Sequence, residues 1–307
     1  MSNTNEWFAV ELRHFAALEA VAEERSFSRA AVRLGYTQSA VSQQIAALER
    51  AVGERLVERP GGPRPVDLTE AGQVLLGHAE AITARLAAAR ADVNALADGA
   101  AGTLRVGSYQ SVGTRILPAV MRDFTAAWPE VDVQLVESAS DDELLRLVER
   151  GELDLTFTVY PLNEGPFEGV ELLRDPFVLL VQAWSPFALD GEAPTLREIG
   201  ELPLIGYREN RTTEQRLRVR GIEPNIVFRS DDNGTVHGLV AAGMGAAVIP
   251  SLSHDPNHEG VVALPLGNRL TPRLVGLAWH KDRYRLRAAE AFVATAQDVC
   301  AGLGATA

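Results

Sequence analysis

The sequence predicts an α+β multi-domain chain: an N-terminal winged helix-turn-helix, a long linker helix, and a C-terminal α/β region of two subdomains. Three observations carry that expectation. Ser26 to Leu48 reads as two short helices around a Gly35-Tyr36 break. Thr69 to Asp98 carries an apolar seam with the coiled-coil repeat. Beyond Gly102 the pattern changes to alternating strands and helices. A chain of 307 residues with 46% hydrophobic content is long enough for two or three cores.

The first helix is predicted from about Val10 to Glu23, with Leu12, Phe15, Leu18, Val21 and Ala22 turned inward. Ser26 is a candidate N-cap for the next, whose apolar face is Phe27, Ala30, Ala31 and Leu34. In the helix after the break, Val41, Ile45, Leu48 and Val52 follow at spacings of 4, 3 and 4, one buried stripe. Gln38, Ser39, Ser42 and Gln43 lie on the other side. Short polar side chains without negative charge suit a helix that lies against base edges in a major groove. The chain carries a formal charge of −12, yet no acidic residue falls between Glu24 and Glu49, where Arg25, Arg29 and Arg33 contribute +3. An ordinary helical hairpin with a solvated face is the alternative. Such faces usually carry Glu and Lys, and this one carries neither.

Arg55 to Arg59, the Pro60-Gly61-Gly62-Pro63-Arg64-Pro65 turn and Val66-Asp67-Leu68 read as a β-wing, with a plain surface loop as the alternative. Arg59 and Arg64 would reach phosphates from it. Thr69 opens the long helix, in which Leu75, Ala79, Ile82, Leu86, Ala89, Val93 and Leu96 follow at alternating steps of 4 and 3. Fully helical, the segment is roughly 45 Å long. Its apolar edge needs a cover: a second copy of the same helix, or the chain's own C-terminal domain. The predicted domains are therefore 1–68, 69–98 and 103–307. Within the last, nine strand candidates between Thr103 and Trp279 imply parallel sheets in two subdomains with a ligand cleft between them. The first subdomain takes 103–159 and 266–307, the second 160–265.

Composition bounds the function. Residues 1–98 hold 10 Arg and 13 Asp/Glu, and the remainder 19 basic and 28 acidic residues, so any DNA binding rests on local charge. Lys281 is the only lysine. Cys300 is the only cysteine, which leaves no intramolecular disulfide or cysteine-rich metal site. No signal peptide and no apolar run of about 18 residues is read, so a cytoplasmic protein off the membrane is expected. His254-x-x-x-His258 alone has metal-like spacing, and Pro256 inside it disfavours a regular helix. No phosphate loop or nucleophile elbow is present. No enzyme, cofactor or metal is expected. A solute-binding component is the other rival for the C-terminal region, but it would not need residues 1–98.

Together these residues resemble the LysR-type transcriptional regulators. The resemblance runs through Ser26 to Ala31 with Leu34, Thr37 to Ile45, Leu48-Glu49, Gly53-x-x-Leu56 and Leu68 to Gly72. It continues in Gly102 to Gly107, Leu117-Pro118, Pro129-x-Val131, Gly151-x-Leu153-Asp154 and Val240 to Gly245 with Ile249-Pro250. It implies a periplasmic-binding-protein-like effector domain, double-stranded DNA as partner, a homodimer and homotetramer, and an influence on RNA polymerase access. By the resemblance, Gln38, Ser39, Ser42 and Gln43 face bases, while Arg29, Arg33 and Arg59 hold phosphates. The proline-dense wing, with only Arg59 and Arg64 as basic groups, departs from the usual pattern.

For the small-molecule effector, Ser108, Tyr109, Gln110 and Ser111 follow the first strand of this domain near a helix N-terminus, where free N–H groups favour a carboxylate. The resemblance also implies small polar residues there. Tyr160 stands at the expected first crossover and Pro265 near the return. Tyr207, Arg208, Asn233 and Thr235 are candidates for the facing wall, with turn or surface duty as the alternative for each. Arg208 makes an anionic effector attractive.

Overall fold

In the computed structural model, residues 7–58, 65–98, 102–162, 164–209 and 211–304 are described. They fall into two compact units, 1–91 and 92–307.

The first unit begins with α1 (Leu12–Glu24), α2 (Phe27–Leu34) and α3 (Gln38–Val52). The Ser26 hydroxyl accepts from the Arg29 N–H at 3.4 Å, and the Thr37 hydroxyl from the Ala40 N–H at 3.2 Å, so each helix opens on a capped end. Gly35 (φ 70°) ends α2 and Gly53 (φ 82°) ends α3, both in the left-handed region. Phe15, Leu18, Val21, Ala30, Ala31, Val41, Ile45 and Leu48 form the core. Leu12, expected inside, is 44% exposed, because it is the first residue of its helix and lies beyond the packed turns.

A two-stranded wing follows, β1 (Val57–Glu58) antiparallel to β2 (Asp67–Leu68). The Glu49 carboxylate accepts from the Leu56 and Val57 N–H groups at 3.0 and 3.3 Å and ties α3 to the wing. Thr69 caps α4 (Glu70–Asp98): its hydroxyl donates to the Arg55 carbonyl at 2.6 Å and accepts from the Gly72 N–H at 3.0 Å. A Cβ at Gly72 would stand 2.0 Å from the Leu56 carbonyl oxygen. Only glycine allows that approach.

The second unit runs β3 (Thr103–Ser108), α5 (Gln110–Arg115), α6 (Leu117–Ala127), β4 (Asp132–Glu137), α7 (Asp141–Arg150), β5 (Leu155–Tyr160) and β6 (Phe167–Asp175). After β6 come β7 (Phe177–Gln182), α8 (Pro186–Asp190), α9 (Leu196–Glu201), β8 (Leu204–Gly206), α10 (Thr212–Val219) and β9 (Ile226–Arg229). The chain ends with α11 (Asn233–Ala241), β10 (Ala247–Pro250), β11 (Val261–Pro265), β12 (Arg273–His280) and α12 (Arg287–Gly304).

The first subdomain is a five-stranded sheet in the order β4-β3-β5-β12-β6. Phe124, Phe157 and Phe292 centre its core beside α6 and α12. The second holds the antiparallel sheet β10-β7-β11, with the parallel pair β8-β9 joined through the Leu204–Ala246 bridge.

Two expectations are corrected here. The sheets are not purely parallel: β12 runs antiparallel to both β5 and β6, because the chain re-enters the first subdomain from the second in the reverse direction. The subdomain boundary also moves. β6 pairs along β12, so residues 167–175 belong to the first sheet rather than to a second subdomain starting at 160. The outward crossing lies at Pro176, between β6 and β7, and the return falls between Pro265 and Arg273.

Candidate nucleic-acid interface and effector cavity

On α3, Val41, Ile45 and Leu48 are fully buried, while Gln38, Ser39 and Gln43 are exposed and Ser42 is half-buried. The Ser39 hydroxyl lies 3.0 Å from that of Thr37 at the helix start. The outer face is free of carboxylates as far as Glu49, and Glu49 is turned onto the wing. This leaves a polar ridge at the positive end of a helix dipole.

Arg29 and Arg33 are exposed, but each already has a partner. Arg29 pairs with Glu24 at 3.4 Å and donates to its carbonyl; Arg33 pairs with Glu23 and lies 4.0 Å from Glu24. The acid-free window begins just after these carboxylates, which belong to α1. Arg25 pairs with Asp67 of the wing. Arg59 and Arg64 lie outside the described residues.

In α4 the predicted seam divides. Leu75 and Ala79 are buried in the core of the first unit. Ile82, Leu86 and Val93 are 40, 52 and 66% exposed, and Ala89 is exposed. The Leu96 side chain lies outside the described residues.

Within the second unit, a cavity of about 340 Å³ lies among residues of both subdomains. Five sequence candidates line it: Tyr109, Gln110, Ser111, Tyr207 and Asn233. Gln110, at the start of α5, reaches the second subdomain. Its amide nitrogen donates to Asp232 Oδ2 at 2.9 Å, and its oxygen accepts from the Asn233 N–H at 2.8 Å. The Tyr207 hydroxyl donates to Asn233 Oδ1 at 2.9 Å.

Four candidates stand off the cavity wall. Ser108 is buried and donates to the Tyr109 carbonyl. Tyr160 packs over Gly276 and donates to the Leu277 carbonyl at 3.2 Å, held by the sheet rather than by a crossover. Arg208 turns an exposed side chain away while its N–H donates to Asp231 at 2.9 Å. Thr235 is bonded to the Asp232 carboxylate that caps α11. With Arg208 off the wall, the expectation of an anionic effector loses the cation that motivated it.

The cation that does line the cavity is Arg273, which sequence reasoning missed. Arg273 and Asp175 are paired residues of β12 and β6, each at a crossing between subdomains. Arg273 Nε donates to Asp175 Oδ2 at 2.7 Å and its terminal nitrogen to Ser111 Oγ at 2.8 Å. Burial pushes the Asp175 carboxyl above its ordinary value, while Arg273 and the Leu252 N–H, 3.0 Å away, pull it back. Glu137, Asp141, Asp231, Asp232, Phe177 and Ser253 also line the space. Burial pushes Asp141 up to about 6, against the pull of Arg273. Gln110 and Thr235 lower Asp232.

Among the described residues, no group of three or more His, Cys, Asp or Glu side chains is arranged to hold a metal ion. His254 and His258 sit in a turn beside His237, whose Nε2 accepts from the Asp255 N–H at 3.0 Å. Among the described residues, no helix is long and apolar enough to cross a membrane.

Comparison with known proteins gives two matches along the chain. The description "Bacterial regulatory helix-turn-helix protein, lysR family" fits residues 12–73, and "LysR substrate binding domain" fits residues 97–301. The transcriptional regulator ShiR of Corynebacterium glutamicum is 31% identical over 300 residues, covering 94% of this chain and 99% of that protein. AlsR of Bacillus subtilis is 31% identical over 248 residues, 79% of this chain and 81% of its own. Full-length CbnR in complex with its target DNA shares the fold at a TM-score of 0.63 and 23% identity, covering 94% of this chain and 99% of CbnR.

Proposed function

The chain belongs to the LysR family of DNA-binding transcriptional regulators with an effector-binding domain, and on that premise we propose how its own residues divide the work. The exposed, carboxylate-free face of α3 carries the reading. Gln38, Ser39, Ser42 and Gln43 read bases in the major groove, with Gln38 or Gln43 able to bond an adenine edge bidentately. Arg29 and Arg33 hold phosphates after release from Glu24 and Glu23, and Arg59 and Arg64 add backbone contacts from the wing. Residues 1–68 form the DNA-binding domain, 69–98 the linker helix and 103–307 the effector domain. The exposed seam of Ile82, Leu86, Ala89 and Val93 pairs two copies, presenting two recognition helices to two half-sites. Pairs assemble further into a tetramer, act in the cytoplasm and alter RNA polymerase access. No catalytic step is part of this role.

The effector enters the cavity beside Tyr109, Gln110, Ser111, Tyr207 and Asn233. It shifts the balance between subdomain arrangements only as far as it binds one more tightly. Gln110, bonded across to Asp232 and Asn233, is the contact that such a shift must keep or break.

Mobility shifts on matched and scrambled operators test the DNA reading. Gln43→Ala is expected to lose about 1–3 kcal/mol on the matched site and almost nothing on the scrambled one. Arg29→Ala is expected to weaken both alike. Equal losses on both fragments for Gln43→Ala refute the base-reading role.

A further inference from the structure

The cavity gathers negative charge at the positions where an anion is ordinarily received. Among the described residues, Glu137, Asp141, Asp231 and Asp232 line it against a single cation, Arg273. That guanidinium is engaged by Asp175 and Ser111. With Asp175 counted against Arg273, four carboxylates remain. Backbone donors at the start of α11 and after β8 already serve carboxylates. Asp232 Oδ1 accepts from the Thr235 N–H at 2.6 Å at the start of α11, and Asp231 Oδ1 accepts from the Arg208 and Glu209 N–H groups at 2.9 and 3.0 Å. Asp141 occupies the first turn of α7.

Glu137 and Asp141 are the two without a hydrogen-bond or ion-pair partner among the described residues. For the half-buried Asp141 that condition is costly until it is protonated or meets a cation, while Glu137 is exposed. A second unmet group belongs to the same wall. Tyr109 is 8% exposed, its ring lies 5.2 Å from the Arg273 guanidinium, and its buried hydroxyl has no hydrogen-bond partner. The hydroxyl feels the charges of Arg273, Asp141 and Asp175. The rest of the wall includes apolar surface from Val159, Phe177 and Pro250, which suits a hydrocarbon body rather than a bare metal ion.

We propose that the effector is an organic cation, a primary ammonium or similar group on a small aromatic or aliphatic body, with its charge set against Glu137 and Asp141. The proposal rests on the reading of this cavity as the effector site. An anion of the same size meets four carboxylates and finds the one guanidinium engaged.

The test uses three probes with one phenolic body and different head groups: tyramine, tyrosol and 4-hydroxyphenylacetate. Each is titrated calorimetrically into the full chain at neutral pH, up to millimolar concentration. Tyramine is expected to bind at least about tenfold more tightly than tyrosol, a gap of about 1.4 kcal/mol. The carboxylate is expected to bind most weakly. In the double variant Glu137→Gln, Asp141→Asn the preference for tyramine over tyrosol disappears while tyrosol binding is retained. The wild-type order alone decides the matter if the variant fails to fold. Carboxylate ahead of amine, equal binding of all three, or no binding of tyramine each overturns the cationic assignment. Carboxylate first would keep the cavity as the effector site with the opposite charge preference. Operator binding by the same preparation tests the regulator reading separately.

Discussion

Replacing Asp141 by Asn is expected to make the ligand-free protein more stable at neutral pH while weakening its hold on a cation. Burial raises this carboxyl from 3.8 to about 6. Below about pH 4 it is protonated in the folded and unfolded chains alike and contributes no difference. Between about pH 4 and 6 the folded chain keeps a proton that the unfolded chain releases, so stability falls as pH rises. Above about pH 6 the full cost is present, at a ceiling of about 3 kcal/mol from 1.36 kcal/mol per pKa unit. Two effects reduce the gain from Asn. A negative charge in the first turn of a helix is favourable by about 0.3–1 kcal/mol, and the new amide N–H groups need partners. The net expectation is about 1–2 kcal/mol in favour of Asp141→Asn at neutral pH. Urea denaturation followed by tryptophan fluorescence reads it, since Trp128 and Trp279 pack against the core of the first subdomain. The advantage should vanish near pH 4. A variant less stable than wild type at neutral pH, or an advantage unchanged by acid, would refute the reasoning.

Other substitutions give equally definite outcomes. Leu86→Glu puts a charge in the exposed seam of α4 and should leave a folded monomer with much weaker operator binding, checked by sedimentation and mobility shift. Gly72→Val forces a Cβ to within 2.0 Å of the Leu56 carbonyl and should destabilise the DNA-binding unit by about 2 kcal/mol or more, read by thermal melting. Arg273→Met leaves Asp175 buried without its cation and should cost about 3–5 kcal/mol, with most of the loss recovered in the double variant with Asp175→Asn. Glu23→Gln with Glu24→Gln frees Arg33 and Arg29 and should tighten binding to scrambled DNA and to the matched operator alike, with a steeper salt dependence.

Much of the first unit was legible because its signals are local. Ser26, Thr37, Gly35 and Gly53 act on their own neighbours, and the stripe Val41, Ile45, Leu48 is buried as its spacing required. β6 was not legible. Phe167 to Asp175 is an edge strand studded with Glu168, Glu171 and Arg174, and nothing in it announces the partner strand about a hundred residues away. Arg273 was missed for the same reason: its importance comes from Asp175 and Ser111, 98 and 162 residues distant in the chain. The acidity of the cavity escaped notice because its carboxylates come from separate segments, none unusual alone. Arg208 misled for the converse reason, a charged residue at the right position whose side chain turns outward.

The pairing of Arg29 and Arg33 with Glu24 and Glu23 bears on how the protein travels before it arrives. With the phosphate role proposed for Arg29 and Arg33, a guanidinium that swaps an internal carboxylate for a phosphate gains little from the exchange, so arbitrary duplex would offer a weak grip. The base edges proposed for the glutamines would then supply most of the preference for a matched site. On that reading the molecule would be kept moving over most of a chromosome and slowed at a few addresses, with two ordinary surface ion pairs contributing to the discrimination.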